Sequence, residues 1–154
     1  DLISRNGFYE TGDFYSPAML ERFVGAPLRR EADAARAAGL LSSYTIHTGV
    51  MPILDYLDTL PLDSLFGIDI AFEGVAPSAI RDRLGGRKSF WIGPSSTYHL
   101  WKGPEATRRA SRETFEVFGG RSGFIFSPGV SAHSIMPWES TLAMIDEWKR
   151  LRGG

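Results

Sequence analysis

The sequence predicts an α/β fold in which a parallel sheet alternates with helices. Four times along the 154 residues, a short apolar run is followed by a glycine or proline break and then by a helix-like segment. The apolar runs are continuous rather than alternating, which is typical of strands covered on both faces. Such an order requires right-handed crossovers between parallel strands. Two architectures satisfy it, a doubly wound sheet and part of a (β/α)8 barrel.

The elements are predicted in order along the chain. Residues 1–39 are expected to form a helical lead-in, because Ser16 is a suitable N-cap, Pro27 breaks or kinks a helix, and Gly39 is a suitable C-terminal stop. Residues 40–152 hold the four β/α units. The predicted strands and the helices that follow them are 40–49 with 50–60, 64–74 with 76–86, 88–96 with 104–120, and 122–129 with 137–152.

The last predicted helix carries a clear amphipathic pattern. Pro137 fits the first helical position, where its missing N–H costs nothing. Apolar residues then recur at steps of three and four positions, which predicts one stripe buried against the core. The members of this stripe are Trp138, Leu142, Ile145, Trp148 and Leu151.

The composition excludes several classes of protein. Because 17 basic and 18 acidic side chains give a net charge of −1, no electrostatic attraction to nucleic acid or to an anionic membrane is expected. The absence of cysteine excludes disulfides, thiolate nucleophiles and zinc sites with sulfur ligands. No apolar run approaches the roughly 20 residues of a membrane helix. No signal peptide is present, so a cytoplasmic location is the default expectation.

The number of units bears on the choice between the two architectures. No G-x-G-x-x-G motif follows any predicted strand, which argues against a dinucleotide-binding doubly wound domain. A complete (β/α)8 barrel takes about 250 residues, so four units amount to half of one. Four barrel strands alone leave two unpaired edges and an open apolar face. A half-barrel is therefore expected to self-associate or to pair with a missing N-terminal half-barrel.

Four stretches of the sequence resemble the C-terminal half of the uroporphyrinogen decarboxylase superfamily. They are "DLISRNG…YSPAMLERFVGAP" (1–27), "IHTG" (46–49), "SFWIGPSSTYHLWKGPEATRR" (89–109) and "SGFIFSPGVSAHSIMPWESTLAMIDEW" (122–148). The last stretch is the most specific, because spacing and residue types agree along its length. The resemblance implies the C-terminal half of a (β/α)8 barrel, with four parallel strands alternating with helices and a site at their carboxyl ends.

The superfamily contains the decarboxylase of haem synthesis and the cobamide-dependent methyltransferases. The resemblance favours methyl transfer to or from a small molecule, linked to a corrinoid that a partner protein carries. Porphyrinogen decarboxylation is the alternative. A non-catalytic half-barrel, or a binding subunit that completes a partner's barrel, is a third hypothesis of a different class.

The resemblance also bears on metal binding. The methyltransferases of this superfamily hold zinc through one His and two Cys. In this sequence His47 matches the His, whereas Thr48 and Val130 stand where the two Cys are expected. Because zinc needs three or four ligands, zinc is not expected in this protein, and His47 is the only candidate metal ligand.

Three residues are expected to be catalytic. His47 ends the first predicted strand, and a neutral imidazole at a barrel mouth exchanges protons near neutral pH or binds a metal. His133 lies in the loop after the last predicted strand, where barrel chemistry concentrates. Asp69, near the end of the second predicted strand, is placed for a general base. For each residue the competing interpretation is a structural hydrogen bond.

The remaining candidates are expected to bind substrate. Glu73 follows the second predicted strand and is suited to orienting a substrate amine. The "GPSST" turn offers hydroxyl and backbone N–H donors to a carboxylate or phosphate, so Gly93, Ser95 and Ser96 are candidates there. Asp1 is placed by the resemblance in the family's Asp-containing loop. Tyr15 is positioned as an aromatic lid over the mouth.

Overall fold

The computed structural model describes residues 1–120, 122–129 and 135–153. Within these residues, five parallel strands form one sheet in the order β1-β2-β3-β4-β5. This confirms an α/β fold whose parallel sheet alternates with helices, as in part of a (β/α)8 barrel. The strands are β1 (Leu2–Asn6), β2 (Leu41–Thr45), β3 (Ser64–Phe66), β4 (Ser89–Ile92) and β5 (Phe124–Phe126).

The prediction of four strands missed the first. Residues 1–39 are not a purely helical lead-in, because β1 pairs with β2 over five residues, from Leu2 opposite Leu41 to Asn6 opposite Thr45. The segment "LISRN" lacks the continuous apolar run of a strand covered on both faces, since β1 lies at the sheet edge and four of its five residues are exposed. Its pairing partner, rather than its composition, makes it a strand.

The helices follow the predicted order and are shorter than predicted. Proline opens three of them, at Pro17, Pro77 and Pro104. The last helix begins one residue after Pro137, which is its N-cap rather than its first residue. The α-helices are α1 (Pro17–Leu20), α2 (Ala26–Ala37), α3 (Leu54–Thr59), α4 (Pro77–Leu84), α5 (Pro104–Phe118) and α6 (Trp138–Leu151).

The first two helices run on from one another instead of breaking at Pro27. The Ser16 hydroxyl caps α1 by accepting a hydrogen bond from the Met19 N–H at 3.3 Å. A π-helical turn, Glu21–Gly25, joins α1 to α2. Proline has no N–H for the ordinary ladder, and a π-turn is one way in which a helix accommodates this loss. The helix ends as predicted before Gly39, whose φ is 73°.

The core lies between one face of the sheet and the helices. Alternate strand residues face it, including Tyr44, Leu65, Phe90 and Ile92, each at most 4% exposed. Phe118 of α5 closes the core over β4, its ring 5.6 Å from that of Phe90. The opposite face carries a row of serines at matching register, followed by larger rings: Ser4, Ser43, Ser64 and Ser89, then Phe66 and Trp91.

The apolar stripe predicted on the last helix is not uniformly buried. Trp138 is 64% exposed and Leu142 is 44% exposed, whereas Ala143 and Met144 are buried. The helix packs against α5 through these smaller residues and through Glu147, whose carboxylate accepts a hydrogen bond from Arg112 at 3.2 Å. The contact between the two helices therefore includes a buried carboxylate, while two of the largest side chains of the predicted stripe stay exposed.

The two edges of the sheet are open within the described residues. Ile3 of β1 is 54% exposed, and Ile125 of β5 is 40% exposed. Unpaired strand edges with exposed apolar side chains are typical of a sheet that continues elsewhere. No helix in the described part of the chain is long and apolar enough to cross a membrane.

Candidate functional site

The carboxyl ends of the five strands and the loops that follow them lie at one end of the sheet, which we call the mouth. His47 lies there, two residues beyond β2. Its Nδ1 lies 2.6 Å from the carbonyl oxygen of Gly67, and its ring stacks on Phe8 at 4.8 Å between centroids. A carbonyl oxygen can only accept, so Nδ1 carries a proton. In the neutral ring, Nε2 therefore keeps its lone pair for a proton or a metal.

A glycine makes room for this imidazole. A Cβ on Gly67 would lie 2.7 Å from the His47 Cε1 atom, and the φ of Gly67 is 83°. Both its conformation and its space therefore favour glycine at position 67. The sequence shows a glycine in the "FGID" segment, but Gly67 follows β3 and His47 follows β2. Their contact was therefore not predicted.

Hydrogen bonds hold the loop between β1 and α1, residues 7–16, against the residues that follow β2. The Gly12 N–H donates to the Gly49 carbonyl at 3.0 Å, and the Thr48 hydroxyl donates to the Asp13 carboxylate at 2.6 Å. These hydrogen bonds hold Phe8 and Asp13 at the mouth. Neither residue was singled out in the sequence analysis. The available signal was four aromatic residues in the segment "GFYETGDFYS".

Asp69 is held inside the protein. It is 4% exposed, and its Oδ2 accepts the Ser95 hydroxyl at 2.9 Å while its Oδ1 accepts the Ala71 N–H at 3.1 Å. The carboxylate therefore joins the loop after β3 to the loop after β4. This position suits a residue that fixes two mouth loops in place.

The three predicted ligand-binding residues of the "GPSST" turn, Gly93, Ser95 and Ser96, are buried rather than open to a ligand. Ser95 and Ser96 are at most 1% exposed, and the Ser95 N–H donates to His99 Nδ1 at 3.0 Å. Burial lowers the pKa of His99 below its usual value, so its ring is mostly neutral at pH 7. A Cβ on Gly93 would lie 2.0 Å from the Ser127 carbonyl oxygen, so this glycine permits the close approach of the ends of β4 and β5.

The other predicted site residues are widely placed. Glu73 and Tyr15 are exposed at the mouth. Asp1 precedes β1, and its carbonyl accepts the Leu41 N–H at 3.0 Å at the opposite end of the sheet. Five strand residues separate it from the mouth, a distance of roughly 16 Å. His133 lies outside the described residues.

The described residues do not fit a zinc site. Among them, no group of three or more His, Cys, Asp or Glu side chains could hold a metal ion. His47 offers one nitrogen, and zinc requires three or four ligands. Thr48, at the position where the family has Cys, donates its hydroxyl to Asp13 instead. Val130 lies outside the described residues.

Comparison with known proteins gives a shared fold. No protein-family model matches the chain, and no curated protein matches it. A solved structure, a methyltransferase from Methanosarcina mazei, has a TM-score of 0.80 to the chain at 19% sequence identity. The match covers 97% of this chain and 42% of the methyltransferase chain. The chain therefore spans less than half the length of that enzyme, and the likeness establishes the fold rather than an activity.

Proposed function

We propose that the chain is part of a (β/α)8-barrel enzyme that transfers a methyl group to or from a small molecule at the mouth. The observation that carries this proposal is the imidazole of His47 at the mouth, whose Nε2 has no hydrogen-bond partner among the described residues, in a fold shared with a methyltransferase. Membership of the uroporphyrinogen decarboxylase superfamily is part of the proposal, and it rests on the sequence motifs.

His47 is the proton-transfer residue in this proposal. When a neutral acceptor gains a methyl group, its heteroatom loses a proton, and Nε2 takes it while Nδ1–H remains bound to Gly67. The Phe8 ring and the Gly67 carbonyl fix the orientation of the imidazole on two sides. Asp69 supports the site indirectly by joining the loops after β3 and β4.

The proposed methyl carrier is a corrinoid bound to a partner protein. When bound, a corrinoid supplies the cobalt centre with which the methyl group is exchanged. This proposal does not need a zinc-activated acceptor. Elemental analysis of the purified protein should find less than one zinc per chain, and stoichiometric zinc would contradict this account.

The test is a methyl-transfer assay with free cobalamin as the carrier. Neutral small-molecule acceptors are offered to methylcobalamin, and its demethylation is measured by its absorbance. His47→Ala should reduce turnover by at least about 100-fold and change the free energy of unfolding by no more than about 1 kcal/mol. His99→Asn is the matched control, because Asn retains an acceptor for the Ser95 N–H.

Two outcomes of this test would count against the proposal. Unchanged turnover in His47→Ala would remove the imidazole from the mechanism. A large loss of stability in that variant would make His47 a structural residue.

Porphyrinogen decarboxylation remains the alternative. A porphyrinogen carries several carboxylates, so its site needs cations, whereas Asp13 and Glu73 are exposed carboxylates at the described part of the mouth. Release of carbon dioxide from a porphyrinogen, without methyl transfer, would favour this alternative.

A non-catalytic half-barrel is the third hypothesis. Its support is the pair of open edges at β1 and β5, where Ile3 and Ile125 are exposed. A partner that supplies the remaining barrel strands, or a second copy of the chain, would cover them. The 154-residue chain expressed alone should self-associate. A stable monomer in sedimentation would contradict the open-barrel description.

A further inference from the structure

The Phe8 ring that stacks on His47 is not held in place by burial. Phe8 is 44% exposed, and its ring lies 4.8 Å from the imidazole at an interplanar angle of 29°. A second contact of the imidazole, from Nδ1 to the Gly67 carbonyl, is a hydrogen bond about which the ring can still tilt. The direction of the Nε2 lone pair therefore depends on how firmly the chain holds Phe8.

Residues 7–10, which include Phe8, form a turn that lies against the side chain of Tyr44. The turn is closed by a hydrogen bond from the Glu10 N–H to the Gly7 carbonyl at 3.0 Å. Gly7 lies close against the Tyr44 ring, since an added Cβ would come within 2.3 Å of Tyr44 Cζ. Glycine at position 7 therefore lets the turn approach the ring.

The hydroxyl of Tyr44 holds the other end of the turn. It donates to Glu10 Oε2 at 2.8 Å, and Tyr44 itself is 1% exposed. Burial raises the pKa of Tyr44, so the hydroxyl keeps its proton and remains a donor. Arg5 also donates to the Glu10 carboxylate, at 2.6 Å. Because the long Arg5 side chain is partly exposed, it can follow the carboxylate outward, whereas the buried hydroxyl cannot.

Other hydrogen bonds of the same loop do not replace this anchor. They attach Gly12 and Asp13 to the residues that follow β2. Both residues follow Glu10 in the chain, whereas Phe8 precedes it. A released turn can therefore carry the Phe8 ring away while those bonds remain.

We infer that Tyr44 is a positioning residue, which holds Phe8 against the imidazole of His47 through the turn of residues 7–10. It thereby sets the direction of the Nε2 lone pair from a position inside the core. That turnover depends on this direction rests on the proposed function. The effect of Tyr44 on the imidazole rests on the contacts alone.

Proton NMR of the His47 ring in the whole chain tests the inference. A stacked aromatic ring displaces the signals of the imidazole protons upfield, so Phe8→Leu should move them downfield. Tyr44→Phe, which removes only the hydroxyl, should move them in the same direction. The His47 signals are identified among the three histidines by their loss in His47→Ala. Signals of Tyr44→Phe that coincide with those of the wild type would overturn the inference.

Tyr56→Phe is the matched control, because it removes the same atom from a second buried tyrosine of the core. Tyr56 is 8% exposed, and its hydroxyl has no hydrogen-bond partner among the described residues. Its removal should leave the His47 signals in place. An equal displacement in Tyr56→Phe would show a general packing effect and overturn the role of the Tyr44 hydroxyl.

A double variant tests the route through Glu10. Tyr44→Phe combined with Glu10→Ala should give the same His47 signals as Glu10→Ala alone, because the hydroxyl acts through that carboxylate. A larger displacement in the double variant would overturn this route.

The methyl-transfer assay gives a second measurement. Tyr44→Phe should lower kcat at least about fivefold, because a misplaced base assists proton transfer less well. KM should change by less than about twofold, because the inference gives Tyr44 no part in binding substrate. A raised KM with an unchanged kcat would overturn the positioning role.

Failure of this inference differs from failure of the proposed function. Displaced His47 signals in Tyr44→Phe, in a protein without methyl transfer, would support the positioning role and contradict the activity. Methyl transfer that is lost in His47→Ala but unchanged in Tyr44→Phe, with the His47 signals in their wild-type positions, would support the activity and overturn the positioning role.

Discussion

The two ends of the sheet differ in how their polar groups are used. At the amino ends of the strands, which we call the base, polar side chains are paired with backbone. Lys88 is 6% exposed, and its Nζ donates to the carbonyls of Leu60 and Leu62 at 2.7 and 3.2 Å. The Asp63 carboxylate accepts both the N–H and the hydroxyl of Ser42.

At the mouth, the chemically active groups keep free capacity. Among the described residues, His47 uses its Nδ1 and no hydrogen bond reaches its Nε2, and Asp13 has no ion-pair partner. The described groups at the base therefore stabilise the fold, whereas His47 and Asp13 at the mouth retain bonding capacity for a ligand. This division is typical of barrels, in which binding residues follow the carboxyl ends of strands.

The largest expected effect on stability is at the base. Lys88→Met should lower the free energy of unfolding by about 2–4 kcal/mol, because two buried carbonyl oxygens lose their donor. Chemical denaturation measures this loss. Lys102→Met, at an exposed lysine, is the control. A loss below about 0.5 kcal/mol would contradict the structural role of Lys88.

At the mouth, Gly67→Ala should affect function more than stability. The new Cβ would meet the His47 ring at 2.7 Å, in a backbone conformation with a φ of 83°. Gly74→Ala is a matched control, because its φ is 79° and nothing lies within 4 Å of its added Cβ. Both should cost about 1–2 kcal/mol through backbone strain, and only Gly67→Ala should also lower turnover. Equal turnover would show that the imidazole position is unimportant.

Glu10, an ion-paired carboxylate in the loop of residues 7–16, should make the stability of the protein sensitive to acid. Burial opposes ionisation of Glu10, but hydrogen bonds from Arg5 and Tyr44 outweigh it and lower the pKa of Glu10 below 4.5. The unfolded chain then binds more protons near pH 4.5, so stability is present above that pH and falls as the pH drops through it.

Glu10→Gln should therefore lower the free energy of unfolding by about 1 kcal/mol at pH 7 and flatten its decline in acid. Denaturation curves at several pH values measure this. Glu31→Gln, which removes the more exposed partner of Arg5, should have a smaller effect. An equal decline in acid for the wild type and Glu10→Gln would contradict the ion-pair account.

The smallest expected effect on stability is at the unpaired carboxylate of the same loop. Asp13→Asn should change the free energy of unfolding by no more than about 0.5 kcal/mol, because the amide oxygen still accepts the Thr48 hydroxyl. Thermal unfolding of Asp13→Asn and Glu10→Gln under the same conditions compares the two losses of stability. A loss as large as that of Glu10→Gln would assign Asp13 to the structure rather than to a ligand.

The candidate site shows which contacts sequence patterns can predict. His47 was predicted at the mouth, because the end of an apolar run marks the end of a strand. Its contacts with Phe8 and Gly67 come from other β/α units, and Asp69 turned out to bind the Ser95 hydroxyl across two loops. Such partners depend on which loops meet in space, and no local pattern encodes that.

The sequence by itself determined the alternation of strands and helices and the parallel arrangement of the sheet. These follow from local periodicity and from backbone restrictions that act within a few residues. Only the tertiary structure decided that Leu2–Asn6 is a strand, that Trp138 stays exposed and that Asp13 reaches the mouth. The physical reason is that strand pairing, burial and loop placement depend on residues distant in the chain.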